Sequence, residues 1–380
     1  MIPDKFAGYI AGICLHCRLV PERPLVWTII ANPRAGGFSI GSRWRIHEAA
    51  LKSRTEQARF RPPRADAAPS RLAGILEPGT LGGKGCILTG GRGHAGRITE
   101  ALISEASRTA SGAGKGGRPF NLIITAGGDG TSLEVLKALY HAPPAIREDF
   151  AVLRLPMGTG NDGADSWELG TALDLLVYPS VLEKTRALRL SAASSKGPFY
   201  AFNILSIGLD AFVTHMTNRM KDRFPGDSYK LWVDIAALLY DRIYKVGILT
   251  VQAFDGSGQT VLSFTDKLLL LAVGLSGRRT YGAHKRILPD ERNVCAVRQM
   301  PLLRKLALKG LFTTGEHAGK PETRLFSAHG VRFSAENPIL AQMDGETVLL
   351  ERGDFPAVIE ITEPAVNILK RAEDGPGAEN

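Results

Sequence analysis

The chain has 380 residues, of which 44% are hydrophobic and 22% charged, with four cysteines and a net charge of +9. This is ordinary globular usage over a length sufficient for two domains, and so few cysteines exclude a disulfide-stapled framework. The basic balance favours anionic partners, either a nucleotide or an anionic membrane surface; nucleic acid gains no support, because the chain has no interleaved aromatic and basic repeats and no recognisable nucleic-acid module.

Residues 1–24 read as an N-terminal extension. Ala7 to Leu15 is apolar, but Asp4 offsets Lys5 and no small-residue cleavage site follows, so it does not read as a signal peptide. Cys14-Leu15-His16-Cys17 has the form of half a zinc site, yet no second Cys or His pair with ligand spacing occurs. Reduced thiols and a cytoplasmic location are expected. From residue 25 to 175, apolar strand-like runs alternate with helical patterns such as Arg97 to Ala106, the signature of a parallel α/β sheet. Arg59 to Ser70, with three prolines, and the glycine-rich Ser111 to Pro119 read as surface loops.

Within this region the apolar run Leu122-Ile123-Ile124 leads into Gly127-Gly128-Asp129-Gly130-Thr131, and then into the helix-like Ser132 to Leu139. A strand that turns through glycines into a helix brings backbone N–H groups and the positive end of the helix dipole to one point, which suits phosphate. A lone carboxylate cannot attract an anion, so Asp129 points to a metal-bound phosphate; the alternative is a tight turn with Asp129 capping the helix. The pattern is neither a P-loop nor a dinucleotide fingerprint. A second strand, Ala151 to Leu155, runs into Pro156-Met157-Gly158-Thr159-Gly160-Asn161-Asp162. Turns at the ends of successive βα units lie side by side at the carboxyl edge of one sheet, where they can share a ligand.

From about residue 198 to 350 the pattern changes to short alternating strands, namely Gly247 to Phe254, Leu262 to Gly274, Val294 to Arg298, Val331 to Ala335 and Ile339 to Met343. They predict a separate antiparallel β domain carrying one helical insertion, Tyr229 to Tyr240. Lys267 to Gly274 is a buried strand, too short to span a bilayer. Pro301 to Phe312 is basic and apolar with Leu302, Leu303 and Leu306 on one face, and it reads as a packing helix in preference to a membrane-surface one. Asp344-Gly345 is a hairpin-turn signal, and residues 371–380 read as a disordered tail.

Gly127 to Thr131 followed by Gly158 to Asp162 resembles the catalytic domain of diacylglycerol kinases and their sphingosine and ceramide kinase relatives. Ile29 to Gly37, with Asn32-Pro33, is similar to that family's opening strand and turn, and Thr89 to Ala95 to its second turn. Phe202 to Ala211 resembles the strand that opens its second domain, and Met343-Asp344-Gly345-Glu346 its late Asp-Gly-Glu turn. The resemblance spans roughly residues 25 to 365. It implies an α/β plus β fold: a Rossmann-like parallel α/β domain over 25–175, an antiparallel β-sandwich over 176–352, and a segment over 353–370 whose strand Ala357 to Ile361 returns to the first domain.

The chemistry it implies is transfer of the γ-phosphoryl of ATP, with Mg²⁺, to a lipid hydroxyl, that of diacylglycerol or a sphingoid lipid. Asn32, Thr89, Gly127, Gly128, Gly130, Thr131, Gly158, Thr159, Gly160, Asn161 and Asp162 are the implied nucleotide contacts, Asp129 the magnesium-holding catalytic carboxylate and Glu346 the general base. Phe212, Met216 and Phe224 are candidate walls of an acceptor pocket. Bacterial relatives carry an Asp-Asp-Gly turn for a structural magnesium ion; here Arg292 and Asn293 align with its last two positions, and a guanidinium cannot ligate a cation. A lipid alcohol and, peripherally, an anionic membrane surface are the expected partners. A homodimer, an NAD kinase-type nucleotide kinase and a non-catalytic nucleotide- or lipid-binding regulator stay open.

Overall fold

The computed structural model describes residues 2–70, 85–110, 117–158, 160–220, 240, 247–281 and 285–372. Thr159, Phe224, most of the expected helical insertion and residues 373–380 of the expected tail lie outside them. The chain divides into one unit of Met1–Thr185 with Pro364–Asn380, and a second of Arg186–Glu363.

The first unit is built on a seven-stranded sheet. Leu25–Ala31, Phe120–Gly127 and Phe150–Pro156 pair in parallel, with Ile29 opposite Ile124 and Gly127 opposite Pro156. Their side chains are almost all buried, as expected of strands covered on both faces. The short strands Ala67–Pro69 and Cys86–Leu88 extend Leu25–Ala31 on its other side. The first of these lies within the stretch expected to be loop. The residues before 25 form a helix, Ile2–Cys14, whose Phe6, Ile10 and Ile13 recur at helical spacing and are fully buried in the same core as Trp27 and Leu122. What reads as an extension in sequence is thus part of the core. All four cysteines are buried free thiols, and burial pushes Cys86 and Cys295 up to about 12.

The second unit is an antiparallel β-rich body built on an eleven-stranded sheet. Thr260–Gly274 runs through it: residues up to 267 pair with Ile248–Phe254 and alternate in exposure, whereas 268–274 pair with Ile204–Gly208 and Val294–Arg298 and are wholly buried. One expectation is corrected here. Ala357–Ile361 does not return to the first unit; Ile359 sits opposite Val331 and Leu190 inside the second. The returning strand is Val366–Arg371, parallel to Phe150–Pro156 and antiparallel to Ser180–Thr185. Helix Leu302–Thr314 packs through Leu308, Leu311 and Phe312, but Leu302, Leu303 and Leu306, read as a packing face, point to solvent. Among the described residues no helix is long and apolar enough to cross a membrane.

Candidate active site

Turns after Leu25–Ala31, Cys86–Leu88, Phe120–Gly127 and Phe150–Pro156 leave the carboxyl edge of the first unit's parallel strands. Strand Phe120–Gly127 passes through Gly128 into helix Asp129–His141, and Gly128 occupies the N-cap with no side-chain capping bond. The helix-capping reading of Asp129 therefore fails. Its carboxylate turns instead to the next crossover, where Oδ1 accepts the Gly163 N–H at 2.8 Å. The residue as a whole is only half-buried, but its carboxylate is enclosed, and this desolvation raises its pKa above 3.8 against the opposing pull of the Gly163 and Asp162 N–H groups.

The two glycine-rich turns touch. A Cβ placed on Gly158 would lie 2.5 Å from the Gly128 Cα, and one on Gly160 would lie 3.2 Å from Asp129 Oδ2. On Gly127 it would meet Thr131 Oγ1 at 2.4 Å, because the threonine folds back over the turn. Asn161, at φ +60°, accepts the Gly158 N–H at 2.7 Å and donates to the Pro156 and Gly158 carbonyls, so its amide shapes the second turn. Gly158→Ala drives a methyl into backbone that cannot yield. It is expected to cost about 2 kcal/mol of stability, measured by thermal unfolding. An alanine variant as stable as the parent would show that the turns need not touch.

Asn32 and Thr89 flank these turns. The Asn32 N–H bonds the Ala126 carbonyl at 2.9 Å and its Oδ1 accepts the Arg34 N–H at 3.0 Å, while the Thr89 N–H bonds the Ala31 carbonyl at 2.8 Å. Three supports here have no local signature in the sequence. Glu134 of the helix Asp129–His141 reaches across to accept the N–H groups of Gly93 and Ala95 at 2.6 and 2.9 Å, capping helix His94–Ala110. Arg154 grips Asp165 through two guanidinium nitrogens at 3.0 and 2.5 Å, with both side chains almost fully buried, pinning the far end of the second crossover. Arg43 donates to the Gly158 carbonyl at 3.5 Å.

The donor set suits a magnesium nucleotide. Magnesium takes one or two carboxylates together with phosphate oxygens, which Asp129 and the neighbouring Asp162 can supply, and uncapped N–H groups at the helix start suit an anion. Among the described residues no group of three or more His, Cys, Asp or Glu forms an all-protein metal cage.

In the second unit, Asp344 and Gly345 have φ of +46° and +100° and join Ile339–Met343 to Glu346–Leu350 in a two-residue hairpin turn. Asp344 is a brace: its buried carboxylate accepts the N–H groups of Phe202, Asn203 and Ile204, the last at 2.9 Å. The Gly345 peptide is held at both ends, its N–H by Gln342 Oε1 at 3.1 Å and its carbonyl by Asn218 Nδ2 at 2.8 Å. Gln342 Nε2 donates in turn to Ser206 Oγ at 2.9 Å and Asp210 Oδ2 at 3.3 Å. Burial raises the Asp210 pKa, while the Ser206 hydroxyl, Lys285 and Gln342 oppose the shift. Glu346 follows this clamped turn as the half-buried first residue of its strand. Phe212 is buried and Met216 packs beside it, both in the core around Leu340. In the altered turn, Asp290 is gripped by the guanidinium of its neighbour Arg292, Glu291 pairs with Arg278 at 2.6 Å, and Asn293 bonds the Ala328 carbonyl at 2.9 Å.

Residues 26–193 match the model of the diacylglycerol kinase catalytic domain. The chain is 26% identical over 229 residues to a probable lipid kinase YegS-like of Yersinia enterocolitica, covering 59% of this chain and 71% of that one. It is 25% identical over 237 residues to its namesake in Pectobacterium atrosepticum, covering 60% and 73%. In fold it is similar to a putative diacylglycerol kinase from Bacillus anthracis, at 16% identity and a TM-score of 0.55 over 91% of this chain and 95% of that one. A second structure from the same organism gives a TM-score of 0.53.

Proposed function

We propose that the chain is a lipid kinase of the diacylglycerol kinase-like family, whose catalytic-domain model residues 26–193 match, and that it transfers the γ-phosphoryl group of ATP to the hydroxyl of diacylglycerol or a sphingoid lipid. The observation that carries this reading is the contact of the two glycine-rich turns at Gly128 and Gly158, with the Asp129 carboxylate turned between them. In this reading the backbone of Gly127 to Thr131 cradles the phosphates, Asn32 and Thr89 border the nucleotide, and Asp129, with Asp162 beside it, holds Mg²⁺. When bound, the ion neutralises phosphate charge. The lipid oxygen forms the new bond to the γ-phosphorus as the bond to the β-phosphate oxygen breaks, and Glu346 takes the hydroxyl proton. Asp344, Gln342 and Asn218 fix the turn from which Glu346 projects. The working location in this reading is the cytoplasmic face of an anionic membrane, where such acceptors reside.

The test is transfer of label from ATP with Mg²⁺ to diacylglycerol, sphingosine, ceramide and NAD in mixed micelles, with Asp129→Asn as the blank. One labelled lipid, absent from the blank, is the expected result and names the acceptor. Label in NAD would make the chain a nucleotide kinase, and nucleotide binding without any product would leave it a regulator.

A further inference from the structure

The helix Leu302–Thr314 turns a continuous apolar face to solvent. Leu302, Leu303 and Leu306 are 47%, 81% and 45% exposed, and Ala307 and Gly310 complete the same face, both exposed. The spacing i, i+1, i+4, i+5, i+8 defines one side of a helix. The opposite side is already satisfied: Lys305 and Leu308 are buried, and Leu311 and Phe312 pack against the core containing Ile287, Leu288 and Met300. The exposed leucines are thus a second apolar stripe that folding of the chain itself does not require. Single exposed leucines are commonplace, whereas three on one stripe call for a partner.

Charge selects that partner. The helix and the strand it packs on, Lys285–Leu288, hold no acidic residue, and Arg286 and Arg304 are exposed on them with Lys285 half-buried beside them. Arg304 is steadied at the rim of the stripe by Glu322 at 2.6 Å. An apolar stripe set among cations matches a bilayer bearing anionic headgroups: the leucines enter the acyl boundary and the basic groups stay at the phosphates.

We propose that Leu302, Leu303 and Leu306 form a membrane-docking face that seats the second unit on anionic lipid bilayers. The inference rests on the lipid-kinase reading for its purpose, since it supplies the route by which the enzyme meets a bilayer-resident acceptor, but its test does not depend on turnover. The full chain is sedimented with vesicles of phosphatidylcholine alone and of phosphatidylcholine with phosphatidylglycerol, beside a Leu302→Gln/Leu303→Gln variant. Glutamine is a good helix former and both positions face solvent, so the variant keeps the fold and its melting temperature.

Parent protein is expected to bind the anionic vesicles, and the variant to bind them at least about tenfold more weakly, with equal turnover of a short-chain, dispersed diacylglycerol. Equal vesicle binding by the two proteins, or no binding by the parent, overturns the docking face. A lipid-free dimer that the variant disperses while vesicle binding persists overturns it in favour of a second copy. If neither protein phosphorylates the dispersed acceptor, the kinase reading fails while the vesicle result still decides the docking face.

Discussion

Asp129→Asn should abolish phosphoryl transfer, by about a thousandfold or more, and at the same time make the protein more stable at neutral pH. The first effect follows from removing the carboxylate proposed to hold the metal-bound phosphates. The second follows from its surroundings. The Asp129 carboxyl is enclosed beside the Gly160 to Gly163 crossover, and desolvation raises its pKa above 3.8. A carboxyl whose folded value lies above its unfolded value holds its proton more tightly in the folded state, so it favours folding in acid. That advantage is lost as pH rises from 3.8 through the raised folded value, and at pH 7 the buried negative charge opposes folding. Asparagine keeps an oxygen for the Gly163 N–H and carries no charge. Thermal unfolding without magnesium or nucleotide should show the variant above the parent at pH 7, with the gap closing below pH 3.8. A variant less stable than the parent at pH 7 would mean that the carboxylate is a structural anchor, and parental turnover would remove it from the chemistry.

Glu346→Gln should leave nucleotide affinity within about twofold of the parent and lower turnover by about a hundredfold to ten-thousandfold. Glutamine matches glutamate in shape and cannot take a proton. The main chain at this position is set by the Met343–Glu346 pairing and by the clamps on Asp344 and Gly345. Calorimetry with nucleotide and a steady-state assay with the identified acceptor separate the two quantities. If turnover stays near the parent value, another group accepts the proton; if nucleotide binding collapses as well, the residue acts through the fold.

The strand–glycine–helix junctions were legible because glycine punctuates a sequence locally: Gly127-Gly128 and Gly158 mark the two turns without any knowledge of what lies opposite them. The contact between those turns follows from parallel neighbours sharing one sheet edge, and Gly158 is needed because the Gly128 backbone comes so near. Choosing between Ala357–Ile361 and Val366–Arg371 as the returning strand was beyond local reading. Both are short apolar runs, and their partners lie far away in sequence, at Val331 and Leu190 for one and Ala151 and Val152 for the other. Glu134, Asp165 and Gln342 were hidden for the same reason, since each is an ordinary polar residue until its distant partner is in place. Gln342 did leave a trace, as the lone polar residue in Ile339–Met343, a strand buried along its whole length. The N-terminal helix left a trace too, in the helical spacing of Phe6, Ile10 and Ile13.

The return of Val366–Arg371 has a consequence for the order in which the molecule is made. This strand is not an edge: it lies between Phe150–Pro156 and Ser180–Thr185 in the first unit's sheet. A ribosome that has finished residues 1–185 has therefore supplied six of the seven strands but left a gap beside Phe150–Pro156, and it must thread the whole second unit before the gap can close. The second unit, continuous from Arg186 to Glu363, has every strand of its own sheet by then. Vectorial synthesis thus completes the later part of the chain first, and the first unit's sheet waits with an open edge until Val366–Arg371 arrives.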